Sequence, residues 1–192
     1  MVSLNQIVNP IPDRICSIDA STNSLAFAIF DNGNLTKYGK INFKGIDTYH
    51  KVRDSVRKTR AFFAELETID AIVIEHTIYM NSAKTAADLA LVQGAMLAGI
   101  SLNNVKIIKS INPIAWQTFL GNAKLTKEEK IKIREDNPGK SDSWYKNRER
   151  EFRKQRTIKL IDINYGKTIT DNDIADAVGV GHYAINNWYK LA

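Results

Sequence analysis

The sequence predicts an α/β domain in which helices flank a mixed central sheet. Two short apolar runs, an Asn-Gly turn and a third run near the start of the chain indicate three opening antiparallel strands. After them, apolar residues at helical spacing alternate with short apolar runs, which is typical of strands joined by helices. A chain of 192 residues is long enough for one domain with one well-filled core.

Each element has its own signal. The opening strands are predicted at 14–20, 24–30 and about 35–43, with the hairpin turn at 31–33. Helical spacing and apolar runs then predict a helix at 47–67, a strand at 70–75, a helix at 82–100 and a strand at 105–109. Asn112-Pro113 opens a short helix, and Thr126 with Glu129 forms a capping box for the next one. After a break at 137–139, polar and apolar helices are expected at about 143–160 and 171–190.

The net charge of +6 is confined to one segment. Residues 120–160 hold 13 Lys and Arg against seven Asp and Glu, whereas the rest of the chain holds 14 of each. A local basic patch is expected of a protein that binds the phosphate backbone of nucleic acid. A solvated helix face of mixed charge is the alternative interpretation.

Several classes of protein are excluded by composition. No stretch approaches the roughly 20 apolar residues of a membrane span, and the first 14 residues lack the pattern of a secretory signal. The single cysteine, Cys16, cannot form an internal disulfide. We therefore expect a protein without membrane contacts in a reducing compartment, with cytoplasm as the default location.

Four acidic residues lie where surface charges normally do not. Asp19 lies in the first strand and Glu75 ends the most hydrophobic strand, while Asp173 and Asp176 share one face of the last helix. Converging carboxylates repel one another unless a cation is bound, and hard oxygen ligands suit Mg²⁺ or Mn²⁺. Two such ions can hold a phosphodiester for hydrolysis. Taken singly, each residue could instead be a strand-end cap, a surface residue or a favourable charge near a helix N-terminus.

The order of these carboxylates resembles that of the RuvC-type Holliday junction resolvases, which have the RNase H-like fold. The similar segments are Asp19-Ala-Ser-Thr-Asn-Ser-Leu-Ala, Glu75-His-Thr-Ile-Tyr-Met-Asn-Ser-Ala with Gln93-Gly94, Asn112-Pro113 with Trp116-Gln117 and Leu120-Gly121, and Asp173-Ile-Ala-Asp176-Ala-Val-Gly-Val. Together they cover most of the chain, which is interpreted as a single RNase H-like nuclease domain over 1–192. The charged residues 133–150 look like an insertion, closer to divergent phage-type members than to the compact bacterial ones.

The resemblance implies catalytic and metal-binding roles for Asp19, Glu75, Asp173 and Asp176, with two Mg²⁺ ions per site. It also implies a homodimer, formed through the helix after Glu75, that nicks opposite strands of a four-way DNA junction. The residues expected to contact DNA are Tyr79, Asn81, Lys124, Lys127, Arg153 and Arg156. Tyr79 could stack on an unpaired base or be a half-buried structural tyrosine, and His76 and His182 could assist proton transfer or be ordinary surface residues.

Three other functions compete with this interpretation. A nuclease of the same fold that acts on flaps or RNA/DNA hybrids would use the same carboxylates. Asp19-Ala-Ser-Thr also resembles the first phosphate motif of sugar kinases and actin-like ATPases, although the chain leaves little room for their other motifs. A binding module without nuclease activity would not need the carboxylates.

Overall fold

A computed structural model describes residues 10–76, 82–101, 105–122 and 124–191. Five strands are numbered β1 to β5 and six helices α1 to α6 in chain order within these ranges. They are β1 (Arg14–Ala20), β2 (Ser24–Asp31), β3 (Asn34–Asn42), α1 (Thr48–Ala64), β4 (Ala71–Glu75), α2 (Ala83–Ser101), β5 (Ile107–Ile111), α3 (Pro113–Phe119), α4 (Lys127–Glu135), α5 (Asp142–Tyr165) and α6 (Asn172–Asn186), followed by a 3-10 turn at Trp188–Lys190.

The five strands form one mixed sheet in the order β3-β2-β1-β4-β5. The first three strands pair antiparallel, whereas β4 pairs parallel to β1 and β5 parallel to β4. Asn32 and Gly33, between β2 and β3, both have positive φ, which is the geometry of a tight hairpin turn. The predicted mixed sheet with three opening antiparallel strands is therefore confirmed.

Helices cover both faces of this sheet. Alternate side chains of β1 point to opposite faces, so Cys16 and Ile18 join the core formed with α1 and α2. Ile15 instead joins the core formed with α3 and α6, next to a third cluster that contains residues of β2, α5 and α6. The central strands are apolar on both sides because both sides are covered.

The last helix, α6, lies directly against β1 and β2. Ser17 in β1 donates a hydrogen bond from Oγ to the carbonyl oxygen of Ala177 in α6, at 2.7 Å. A Cβ added at Gly181 would lie 2.1 Å from Cε2 of Phe30 and 2.6 Å from the Ser17 hydroxyl. This close packing needs a glycine, and it fixes how far α6 stands from the end of β1.

Element boundaries differ from the sequence predictions mainly in the second half of the chain. The α5 helix extends from Asp142 to Tyr165, because Ser141 caps its start and the left-handed Gly166 ends it. The last helix stops at Asn186, where the backbone leaves the helical region at Asn187. The capping box of Thr126 and Glu129 is present. No helix in the described ranges has the length and apolar character to cross a membrane.

Candidate active site

Asp19 and Glu75 lie side by side at one edge of the sheet. The parallel register pairs Ile18 of β1 with Ile74 of β4, so Asp19 and Glu75 are the next residues along the two strands. Carboxyl ends of parallel strands meet at the same edge of a sheet, where open α/β folds place their ligands. The strand order thus brings together two carboxylates that are 56 positions apart in sequence.

Glu75 is held by a buried indole. Trp116 of α3, 1% exposed, donates from Nε1 to Oε2 of Glu75 at 2.6 Å. On its other side, Trp116 lies against α6, because a Cβ added at Gly179 would come within 2.9 Å of Cζ3 of the indole. Trp116 therefore links the end of β4 to the helix that carries the other two carboxylates.

Asp173 and Asp176 lie in the first turns of α6. Asp171 caps this helix by accepting hydrogen bonds from the backbone N–H groups of Asp173 and Ile174. Lys40 of β3 donates to Oδ2 of Asp173 at 2.5 Å and to Oδ2 of Asp171 at 3.3 Å. In this arrangement a lysine ammonium partly balances the charge of the first of the two aspartates.

The carboxylates perturb one another. Burial, then the charges of Asp176 and Asp173, raise the pKa of Asp19 to about 7. Burial and the charge of Asp19 raise the pKa of Glu75 to about 7. Burial also raises the pKa of Asp176 to about 7, with contributions from Glu75 and Asp173 and against the effect of Lys154. The four side chains, here called the carboxylate cluster (Asp19, Glu75, Asp173 and Asp176), thus lie close enough for their charges to interact, although burial is the larger cause of each shift.

The donor set of the carboxylate cluster suits a hard divalent cation, because it consists of carboxylate oxygens whose repulsion a cation would relieve. Within the described residues, no three Asp, Glu, His or Cys side chains are already gathered tightly enough to form a ready-made metal site. Lys40 of β3 also holds Oδ2 of Asp173 in an ion pair. Metal binding through this oxygen would require Asp173 to exchange its lysine partner for the cation.

The carboxylate cluster borders a cleft of about 1070 Å³. Its lining includes the cluster and His76 at the sheet edge. Residues of α4, α5 and the segment before α4 also line it, and they contribute six cations and one acid, Glu149. The cations are Lys124, Lys130, Lys146, Arg150, Arg153 and Lys154. A cleft lined by both acidic ligands and cations can hold a phosphodiester between a bound metal and positively charged side chains.

Only some of the residues that the sequence predicts to bind DNA line this cleft. Lys124 and Arg153 line the cleft, whereas Lys127 and Arg156 are not among its lining residues. Arg153 donates to the carbonyl oxygen of Asn122 and to Oε1 of Gln117, and Arg156 to the carbonyl oxygen of Gly121 and to the carboxylate of Glu129. Both arginines therefore already make bonds within the protein. Tyr79 and Asn81 lie outside the described residues.

His76 and His182 are also separated by the structure. His76 borders the cleft. His182 is not a lining residue: its Nδ1 lies 2.7 Å from Oη of Tyr165, its ring contacts Phe119, and burial lowers its pKa. This environment is that of a packed structural histidine.

Sequence reasoning missed several residues of this region. Lys40 and Trp116 were not assigned to the site, since their partners are distant in sequence. Lys146, Arg150 and Lys154 were counted only within the basic segment, although their spacing of four residues on a predicted helix was a usable signal.

Comparison with known proteins gives no match to a family model and no match to a curated protein sequence. Solved structures do match. RuvC from Thermus thermophilus in complex with a Holliday junction substrate aligns over 93% of this chain and 97% of that chain, with a TM-score of 0.64 and 10% identity. A second Thermus thermophilus RuvC structure aligns over 92% of this chain and 96% of that chain, with a TM-score of 0.61 and 11% identity. The yeast mitochondrial Holliday junction resolvase Ydc2 aligns over 92% of this chain and 80% of that chain, with a TM-score of 0.50 and 12% identity. The chain therefore has the RNase H-like fold in the form found in RuvC-type Holliday junction resolvases.

Proposed function

We propose that this protein is a Mg²⁺-dependent, structure-selective endodeoxyribonuclease that resolves four-way DNA junctions by paired nicks. One observation carries the proposal: carboxylates from β1, β4 and α6 line the same cleft as six cations from α4, α5 and the segment before α4. The shared fold with RuvC, one of whose structures contains a Holliday junction substrate, supports the choice of DNA as substrate.

In this proposal the carboxylate cluster holds Mg²⁺, for which Mn²⁺ can substitute, as two ions per site. When bound, the metal supplies activation of a water and stabilisation of the leaving oxygen in phosphodiester hydrolysis. Trp116 fixes one oxygen of Glu75, so that this carboxylate keeps its orientation. Burial of the cluster strengthens its interaction with a cation, because less water screens the charges.

Cations in the cleft and next to it bind the substrate backbone. Lys124 borders the cleft, and Lys127 begins α4 a few residues later. Arg153 and Arg156 keep further N–H donors besides those used within the protein, because a guanidinium has five. Tyr79 and Asn81 stay proposed DNA contacts that follow β4.

A homodimer would place two such sites on a twofold-symmetric junction. The proposed interface is α2, whose exposed residues after its first turn are small or apolar: Ala87, Ala90, Leu91, Gly94 and Ala98. A flat surface of this kind allows two helices to approach closely. Each protomer would contribute its own complete carboxylate cluster, since all four residues belong to one chain.

The test is cleavage of a matched set of DNA substrates. Purified protein with Mg²⁺ is incubated with a four-way junction, a flap, an RNA/DNA hybrid and a linear duplex of related sequence. We expect symmetrical paired nicks in the junction and at least ten-fold slower cleavage of the other substrates. Equal cleavage of flap or hybrid would contradict junction selectivity, and no cleavage of any substrate would contradict the nuclease assignment.

A further inference from the structure

We propose that Lys146, Arg150 and Lys154, here called the α5 row, form a track that binds successive phosphates of the DNA strand to be cut. This inference rests on the proposed function only in taking DNA as the substrate. It transfers the main backbone contact on α5 from Arg153 and Arg156 to three other cations.

The α5 row lies on one side of its helix. Its members are four residues apart, so they recur about every 6 Å along the helix axis, and the row is about 12 Å long. That length equals the axial rise of about three to four nucleotides of one strand. All three side chains border the cleft that contains the carboxylate cluster.

Other cations on α4 and α5 form ion pairs within the protein. Lys130 pairs with Glu149, Arg134 with Asp142, Arg148 with Glu151, and Arg156 with Glu129. For the members of the α5 row, the structure shows no side-chain hydrogen bond or ion pair to any described residue. The cleft side of α5 therefore carries three cations without a directly bonded partner among the described residues, and such cations can bind a phosphate backbone.

The α5 helix is fastened in place by bonds near the row. Arg153 connects it to the carbonyl oxygen of Asn122 and to Gln117, at 3.2 and 2.9 Å. Asn122 also donates from Nδ2 to the hydroxyl of the buried Thr157 at 2.8 Å. Arg153 thus has a structural role: it connects α5 to α3 and the residues after it, and so helps to position the α5 row in the cleft.

The row and the carboxylate cluster share one cleft. Lys146, Arg150 and Lys154 line it together with Asp19, Glu75, Asp173 and Asp176. A strand bound along the row would therefore lie in the cleft that contains the carboxylates, so the row sets the path of the strand as well as its affinity.

The test measures the salt dependence of DNA binding. In an Asp19→Asn background, which prevents cleavage during the measurement, Lys146→Gln and Arg150→Gln are combined. The control pair is Arg148→Gln with Lys159→Gln, which removes the same charge from exposed positions of α5 outside the cleft. Fluorescence anisotropy gives the Kd for a labelled four-way junction and for a duplex over a series of NaCl concentrations, and circular dichroism verifies that each variant is folded.

We expect the slope of log Kd against log salt to fall by about 0.9 for each lost phosphate contact, hence by about 1.8 for the row pair. The control pair should keep the parental slope within about 0.5, because its cations do not face the cleft. An unchanged slope in the row pair, or an equal change in both pairs, would overturn the proposal. Failure of the proposed function would be seen separately, as absence of junction cleavage by the protein with Asp19 intact.

Discussion

Replacing Asp19 by Asn tests whether the carboxylate cluster is electrostatically strained without metal. Asn has nearly the same size as Asp, but it removes one of the negative charges that converge at the sheet edge. In the absence of divalent cations the substitution should stabilise the fold at pH 8. If Asp19 instead served the stability of the fold, its replacement would destabilise the protein. The sign of the change in stability therefore distinguishes the two roles.

The magnitude follows from the pKa of Asp19. Raising a carboxyl pKa from 3.8 to about 7 costs the ionised folded state up to about 4 kcal/mol. Because the cleft is open to solvent, we expect screening to reduce the gain from Asp19→Asn to about 1–2 kcal/mol. For a chain of this length, that gain corresponds to an increase of about 2–8 °C in Tm.

The pH dependence has a definite sign. A carboxyl with a higher pKa in the folded than in the unfolded state binds its proton more tightly when folded. Ionised Asp19 therefore does not destabilise the fold below about pH 4, destabilises it increasingly as the pH rises toward 7, and has a constant effect above pH 7. The Tm advantage of Asp19→Asn should follow the same course, and it should disappear near pH 4.

The assay is thermal unfolding followed by circular dichroism, with EDTA and with Mg²⁺, at several pH values. Mg²⁺ should raise the Tm of the unsubstituted protein at pH 8, because it binds the folded state, and should raise that of Asp19→Asn much less. Asp162→Asn, an exposed change of the same type on α5, is the control and should shift Tm by less than about 1 °C. A lower Tm for Asp19→Asn at pH 8 in EDTA would refute the reasoning.

Three further outcomes are expected. Trp116→Phe removes the hydrogen bond to Glu75 and should lower single-turnover cleavage about ten-fold with little change in junction affinity; an unchanged rate would contradict a positioning role. Gly181→Ala should lower the free energy of unfolding by about 1–3 kcal/mol in chemical denaturation, because the added Cβ overlaps the ring of Phe30. Gly94→Ala is the control and should not destabilise the fold, because a Cβ there meets no atom within 4 Å. Mixed dimers of intact and Asp19→Asn chains should accumulate singly nicked cruciform plasmid, and its absence after confirmed subunit exchange would contradict paired nicking.

The sheet could be predicted well from the sequence, because its signals are local. The β1 strand is bounded as expected, since an apolar run sits between polar segments. The hairpin turn at Asn32-Gly33 and the capping box at Thr126 are likewise set by neighbouring residues. The β5 strand begins two residues later than expected, because the apolar run alone did not show where its pairing with β4 starts.

The site could be predicted only in part, because its chemistry depends on pairs that are distant in sequence. Residue type and position singled out the carboxylates, but Lys40 meets Asp173 across 133 positions, and no local pattern reports such a contact. The basic segment was recognised as a whole. Which of its cations face the cleft depends on how α5 docks through the buried Thr157 and Ile161.

The central claim is that the carboxylate cluster performs metal-dependent cleavage of branched DNA. Its most direct test is single-turnover cleavage of a four-way junction in Mg²⁺ by the unsubstituted protein, Asp19→Asn and Glu75→Gln, with junction affinity measured in parallel. We predict that each substitution lowers the cleavage rate by at least about 10³-fold and leaves the Kd for the junction within about three-fold. Near-normal Mg²⁺-dependent cleavage by both variants would contradict the claim.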